Sequence, residues 1–249
     1  MAGEAIRLLP AGHPSLAHGF ASPPGTLGVL GLAGGVLVPP SAPVPVTFGR
    51  DSAGVTVPLG EDDRRVSRRH GVLEHRGGRW WVRATGKVPL RLPQSRLLFT
   101  GAAPVPVPAG YLPVFVRGSA GREHVLEVRI SDGGRTGEPA PALAERERLA
   151  LAMVGQGFLR WEERPRPMPP ALAATRLGDL DPDGGWTADA VVTVLDGVRS
   201  RFRPGDADTE LLPALVSAAV LVPPDLALLT TVPARAPDEV EWMPPTWGN

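Results

Sequence analysis

Two short stretches of this 249-residue chain carry side chains suited to holding a dianion: Phe48-Gly49-Arg50 and Val66-Ser67-Arg68-Arg69-His70. Arg50 follows an apolar run that reads as a strand. Its planar guanidinium would stand at a strand end, where it can meet phosphate oxygens in a fork. Gly49 permits a turn that a Cβ would crowd. Ser67 supplies a small hydroxyl donor, Arg68 a third candidate ligand, and Arg69 further positive charge. His70 stands at the start of the next run, Gly71-Val72-Leu73. Charge-assisted hydrogen bonds contribute roughly 1.5–3 kcal/mol each. Three such ligands would give a weak-to-moderate phosphopeptide affinity once the entropy of association is subtracted.

The elements that must position these residues are strands. Between Leu27 and Ile130 the sequence is a series of short apolar runs separated by Gly, Pro and Asp/Ser clusters. They include Leu27–Leu32, Val44–Phe48, Val55–Leu59, Gly71–Glu74, Trp80–Arg83, Val88–Leu92, Leu112–Val116 and Val125–Ile130. Runs of this length, rich in β-branched and aromatic residues, predict an antiparallel sandwich. Gly77-Gly78 reads as a hairpin turn. Pro and Gly each occur 30 times, which fits a chain of many turns, with the prolines at edges and strand starts. Trp80 and Trp81 are expected to pack on opposite faces of a sheet.

Gly-Arg, a loop, and Ser-x-x-His within an all-β module resemble the forkhead-associated (FHA) domain, over about Leu27 to Ile130. That resemblance implies a two-sheet sandwich whose loops at one end bind phosphothreonine peptides. By position it implies Arg50 and Ser67 as phosphate ligands, with Arg68 beside them, and Gly49 and His70 as supports of the loops. The family also has an Asn after the Ser-x-x-His strand pair that holds the peptide backbone. The matching stretch here is Arg83-Ala84-Thr85-Gly86-Lys87. Thr85 and Gly86 are therefore the candidates for peptide contact, although a hydroxyl cannot replace both the donor and the acceptor of an amide.

Beyond Asp132–Pro139, which reads as a linker, the pattern becomes helical. Candidate helices cover Leu143–Leu159, Pro169–Leu177, Thr187 (as N-cap) to about Phe202, and Glu210–Val220. The expected organisation is thus a multi-domain chain. A sandwich over 1–137 (core about 27–131) is followed by a small, mainly α-helical domain over 138–233 and a Pro-rich tail over 234–249. In bacteria, forkhead-associated modules are often followed by such a region, and the resemblance extends to that pairing, with a degenerate winged helix-turn-helix as one form of it. Charge weighs against DNA binding there. Residues 1–137 hold 16 Lys+Arg against 9 Asp+Glu, and 138–249 hold 10 against 17, whereas phosphate contacts dominate non-specific affinity for DNA. Only Arg199, Arg201 and Arg203 form a basic stripe.

Other signals carry less. Asp179-Leu-Asp181-Pro-Asp183-Gly184 copies the start of a calcium loop but has Ala190 where a bidentate Glu belongs, and an acidic turn before a helix explains it. The chain lacks Cys, which removes thiolate chemistry. No nucleophile triad, clustered histidine set or Walker-type phosphate loop is visible, so no enzyme, cofactor or metal is expected. No secretory signal or uninterrupted apolar span is visible, and the expected location is the cytoplasm. The expected role is a phosphothreonine-peptide-binding adaptor in bacterial Ser/Thr-kinase signalling. Its partner would be a phosphorylated protein or the kinase itself. The alternatives are a phosphorylation-responsive DNA-binding regulator, or a scaffold in which a non-phospho-binding sandwich and the helices dock through opposite charge.

Overall fold

A computed structural model of the chain describes residues 5–133, 142–202 and 210–230. The strands are β1 Arg7–Leu9, β2 Leu27–Gly31, β3 Gly34–Val38, β4 Val46–Gly49, β5 Val57–Pro58 and β6 Gly71–Arg76. They continue with β7 Arg79–Ala84, β8 Leu90–Arg91, β9 Leu97–Leu98, β10 Val105–Pro106, β11 Gly110–Arg117 and β12 Glu123–Ile130. They form a seven-stranded sheet, β1-β3-β2-β12-β11-β8-β9, and a five-stranded sheet, β10-β7-β6-β4-β5. Every pairing is antiparallel except β4 with β5.

Period-two alternation builds the core between the sheets. Val114, Val116, Leu126 and Val128 from the larger sheet meet Phe48, Leu73, Trp80 and Val82 from the smaller one. The Gly77-Gly78 turn closes the β6–β7 hairpin, with Arg76 opposite Arg79. Trp80 is buried and Trp81 only half-buried, as alternation across that strand requires. The glycines between Leu30 and Val36, which offered no phosphate loop, close the β2–β3 hairpin instead.

The sandwich begins earlier than the expected core. Strand β1 pairs with β3 through Leu8 opposite Val36, and Leu16 and Phe20 pack on the outer face of the larger sheet with Leu9, Leu30 and Leu37. Gly28 makes the seat for Phe20, because a Cβ there would lie 2.7 Å from the ring. Glu127, wholly enclosed between these layers, accepts hydrogen bonds from Ser15 Oγ, from the Leu16 amide (3.2 Å) and from the Tyr111 hydroxyl (2.8 Å). Burial raises the carboxyl pKa of Glu127 against those donors.

The helices are α1 Glu145–Val154, α2 Gln156–Leu159, α3 Pro170–Leu180, α4 Ala188–Arg201 and α5 Leu211–Ser217, followed by a 3-10 segment at Pro223–Leu229. The first expected helix is split at Gly155, where a Cβ would fall 2.8 Å from the Leu151 carbonyl. Thr187 caps α4 as expected, accepting from the Ala190 amide at 3.1 Å. Most of the expected linker and the whole 234–249 tail lie outside the described residues. No described helix is long and apolar enough to cross a membrane.

The helices pack on the larger sheet's outer face at β11 and β12. Phe115 points outward from β11 and belongs to the helical core with Leu151, Leu159 and Leu177. The Arg91 guanidinium lies 4.0 Å above its ring. Arg91 pairs with Glu123 at 2.8 Å and donates to the Arg160 carbonyl at 2.6 Å, while Arg160 pairs with the same Glu123 at 3.3 Å. Apolar burial, with a charge triad at its rim, joins the two regions. Replacing Phe115 by Ala is expected to cost about 3–5 kcal/mol of stability. Chemical denaturation should show it as one cooperative transition moved to lower denaturant; a loss below about 1 kcal/mol would mean that the helices do not depend on this contact.

Candidate functional site

Three loops meet at one end of the five-stranded sheet, and the ladder between β4, β6 and β7 brings them there. Phe48 is opposite Gly71 and Gly71 is opposite Ala84. The residues leaving β4, entering β6 and leaving β7 are therefore neighbours. Backbone hydrogen bonds continue past the strands: Arg50 N to Ser67 O (3.1 Å), Asp51 N to Arg68 O (3.2 Å), and the Thr85 and Gly86 amides to His70 O (3.0 and 2.9 Å). Arg50, Ser67, Arg68 and Thr85, distant in sequence, are thus stitched together.

Gly49 and His70 account for the closeness of the loops. A Cβ on Gly49 would sit 2.3 Å from the Arg68 carbonyl and 2.8 Å from that of Ser67, so only glycine lets the two chains approach this far. His70 is fully buried. Its Nδ1 accepts from the Ser67 amide at 2.9 Å, and its Nε2 donates to the Val88 carbonyl at 2.8 Å. The ring is therefore a neutral strut between the loop holding Ser67 and the one after β7. Gly86 is buried against it, where a Cβ would meet the ring at 2.7 Å. That contact makes Gly86 a spacer for His70; of the two candidates for peptide contact, only Thr85 is exposed. The Thr85 hydroxyl donates to the Arg69 carbonyl at 3.1 Å, which commits its proton.

The candidate ligands differ from this scaffold in being unsatisfied. Ser67 Oγ accepts from the Lys87 amide at 3.0 Å, which leaves its hydroxyl proton to be donated. Arg50 Nε is buried and has no hydrogen-bond partner in the protein. Arg68 is exposed. None of the ion pairs among the described residues uses Arg50, Arg68, Arg69 or Lys87. An unpartnered guanidinium on one loop and a free hydroxyl proton on its neighbour are donors of the kind an anion accepts.

A residue that sequence reasoning missed fixes the loop leading to Ser67. Asp63, buried, accepts from Ser119 N (2.8 Å), Ser119 Oγ (2.7 Å), His124 Nε2 (2.9 Å) and Arg65 N (3.0 Å), and pairs with Arg122 at 3.3 Å. Desolvation pushes its pKa up, but the hydrogen bonds from His124 and Ser119 outweigh it and hold the carboxyl below the usual range. Ser119 gives its proton to this carboxylate, so the trio is a structural clasp. A cleft of about 520 Å³ beside it, lined by Leu59, Arg122, His124 and Pro224, does not include Arg50, Ser67 or Arg68.

The other sequence signals resolve into structure. Asp181 accepts from the Trp186 indole at 2.9 Å, in a 3-10 turn at Pro182–Gly184 ahead of α4. Arg199 pairs with Asp196, and Arg201 pairs with Glu147 at 2.7 Å; Arg203 lies outside the described residues. His75 stacks edge-on against Trp80 with centroids 5.1 Å apart.

No family model and no curated protein matches the chain. Among solved structures, the sandwich is similar to forkhead-associated domains. One is Mycobacterium tuberculosis Rv1747 FHA-1, at 22% identity over 44% of this chain and 99% of that one, with a TM-score of 0.34. Another is the FHA domain of an Arabidopsis thaliana hypothetical protein, at 16% identity over 47% and 98%, with a TM-score of 0.35. A third is Mycobacterium tuberculosis EmbR in complex with a low affinity phosphopeptide, at 17% identity over 44% of this chain and 26% of that one, with a TM-score of 0.33.

Burial pulls the His70 pKa below 6.5, against the Val88 hydrogen bond that raises it. The folded state therefore prefers the neutral ring. Its contribution to stability is full above the unfolded value of about 6.5 and is lost as pH falls through the folded value. An imidazole NMR titration should place the His70 midpoint below 6.5, with the Nε2–H tautomer above it; a midpoint at or above 6.5 would contradict the strut geometry.

Proposed function

We propose that this chain is a phosphopeptide-binding adaptor of the forkhead-associated type, reading phosphothreonine on a Ser/Thr-kinase substrate or on the kinase itself. The phosphate is held by Arg50 and Ser67, with Arg68 closing over it from the exposed side. The observation that carries this reading is the contrast at one spot. Gly49 and His70 have every contact filled and fix two loops, while on those same loops the half-buried Arg50 guanidinium, whose Nε has no partner in the protein, and the Ser67 hydroxyl proton remain unsatisfied. A phosphate dianion suits both, since it accepts a guanidinium fork and a hydroxyl together. The helical region supports the sandwich and offers a docking surface. The pairing of Arg199 and Arg201 with carboxylates favours that role over contact with DNA.

Arg50 lies at the loop end, half-buried and outside the sandwich core. Arg50→Ala is therefore expected to weaken phosphothreonine-peptide binding by about 30- to 100-fold or more, with the melting temperature moved by no more than about 2 °C. Calorimetry with wild type and variant measures both. Equal affinities in the two proteins would overturn the assignment of the site.

A further inference from the structure

The loops around the phosphate site carry more positive charge than the two ligands account for. Arg69 and Lys87 are exposed on either side of Thr85: the Arg69 carbonyl receives the Thr85 hydroxyl at 3.1 Å, and the Lys87 amide donates to Ser67 Oγ at 3.0 Å. Neither side chain is in an ion pair among the described residues. On the same sheet the situation differs, for Arg76 and Arg83 both pair with Glu74, at 2.6 and 3.3 Å. Of the carboxylates on the site loops, Asp62 and Asp63 pair with Arg122 and Glu61 lines the cleft beside that residue, which leaves Asp51. It is turned over its own bend, where a Cβ on Gly54 would lie 2.6 Å from its Oδ2. Arg50, Arg68, Arg69 and Lys87 thus lie on loops joined by hydrogen bonds and in no ion pair among the described residues, a concentration of like charge that a bound anion relieves. Thr85 adds to the case. Its proton is committed to Arg69, so on this side of Ser67 the groups left for a ligand are the charged side chains.

We infer that the site selects peptides bearing an acidic residue beside the phosphorylated one, its carboxylate received by Arg69 and Lys87. This inference rests on the phosphopeptide reading and adds a specificity to it. Removing either side chain keeps the backbone carbonyl of Arg69 and the amide of Lys87 that hold the loops, so Arg69→Ala combined with Lys87→Ala tests charge and not folding.

Calorimetry on the full chain separates the outcomes, using a phosphothreonine peptide flanked by alanines, the same peptide flanked by glutamates, and the glutamate peptide without phosphate. Wild type is expected to bind the glutamate-flanked phosphopeptide about five- to tenfold more tightly than the alanine-flanked one at low salt. Raised salt should shrink the difference. The double variant is expected to bind both phosphopeptides alike, the glutamate preference being lost whatever its affinity for the alanine-flanked form. Equal binding of the two phosphopeptides by wild type would overturn this inference and leave the phosphopeptide reading standing. So would a glutamate preference that survives in the double variant. Binding of neither phosphopeptide, or equally tight binding of the unphosphorylated acidic peptide, would overturn the phosphopeptide reading and this inference with it.

Discussion

The site depends on a close approach between two loops that ordinary side chains would forbid. Beyond β4 and before β6, the chain carries ladder-like hydrogen bonds from Arg50 and Asp51 to Ser67 and Arg68, and only a glycine at position 49 leaves room for those carbonyls. The buried His70 ring then braces the approach from the other side, joining the Ser67 amide to the Val88 carbonyl. A buried imidazole that accepts at one nitrogen and donates at the other is satisfied only when neutral, so burial, tautomer and loop position fix one another. With the backbone polar groups of these loops satisfied in this way, the donors left there without a protein partner include Arg50 Nε and the Ser67 hydroxyl.

This preorganisation is maintained by layers further out. Asp63 draws the loop before Ser67 onto Ser119, His124 and Arg122, which belong to the β11–β12 turn and the start of β12. That hairpin lies at the centre of the larger sheet, whose outer face is closed by the N-terminal segment at Glu127 and by the helices at Phe115. The path from the helical region to the loops of Arg50 and Ser67 is thus one of packed apolar side chains and enclosed carboxylates. The helices act as part of the sandwich's support and bury a sheet face that would otherwise be exposed to water.

Much of this was legible in the sequence, and what was not has physical reasons. Gly49-Arg50 and Ser67-x-x-His70 could be read because the residue types are distinctive: a glycine where a Cβ would crowd, a fork of donors, a small hydroxyl, and a histidine that the family resemblance gave as a loop support; the turn expected at Gly49 is instead a close approach of two chains. The Thr187 cap was legible for the same reason. Strand β1 was not, since three residues carry too little period to register. The docking of the helices on the sheet has a signal in β11. Leu112-Pro-Val-Phe-Val is apolar at both alternating positions, the mark of a strand covered on both faces. Glu127 and Asp63 give no such signal. The first sits between Leu126 and Val128 like any solvent-facing residue of a strand, and the second lies in an acidic loop like any surface carboxylate. Their burial is decided by segments distant in sequence that supply the hydrogen bonds.

The most direct test of the account is an NMR titration of the full chain with a phosphothreonine peptide, following the Arg50 Nε–H and the Ser67 and Lys87 amides. The Arg50 Nε–H should move downfield as it gains a phosphate acceptor, with the Ser67 and Lys87 amides shifting at the same peptide concentration. Phosphate-dependent shifts centred instead on the cleft at Arg122 and His124, with Arg50 and Ser67 unmoved, would contradict it.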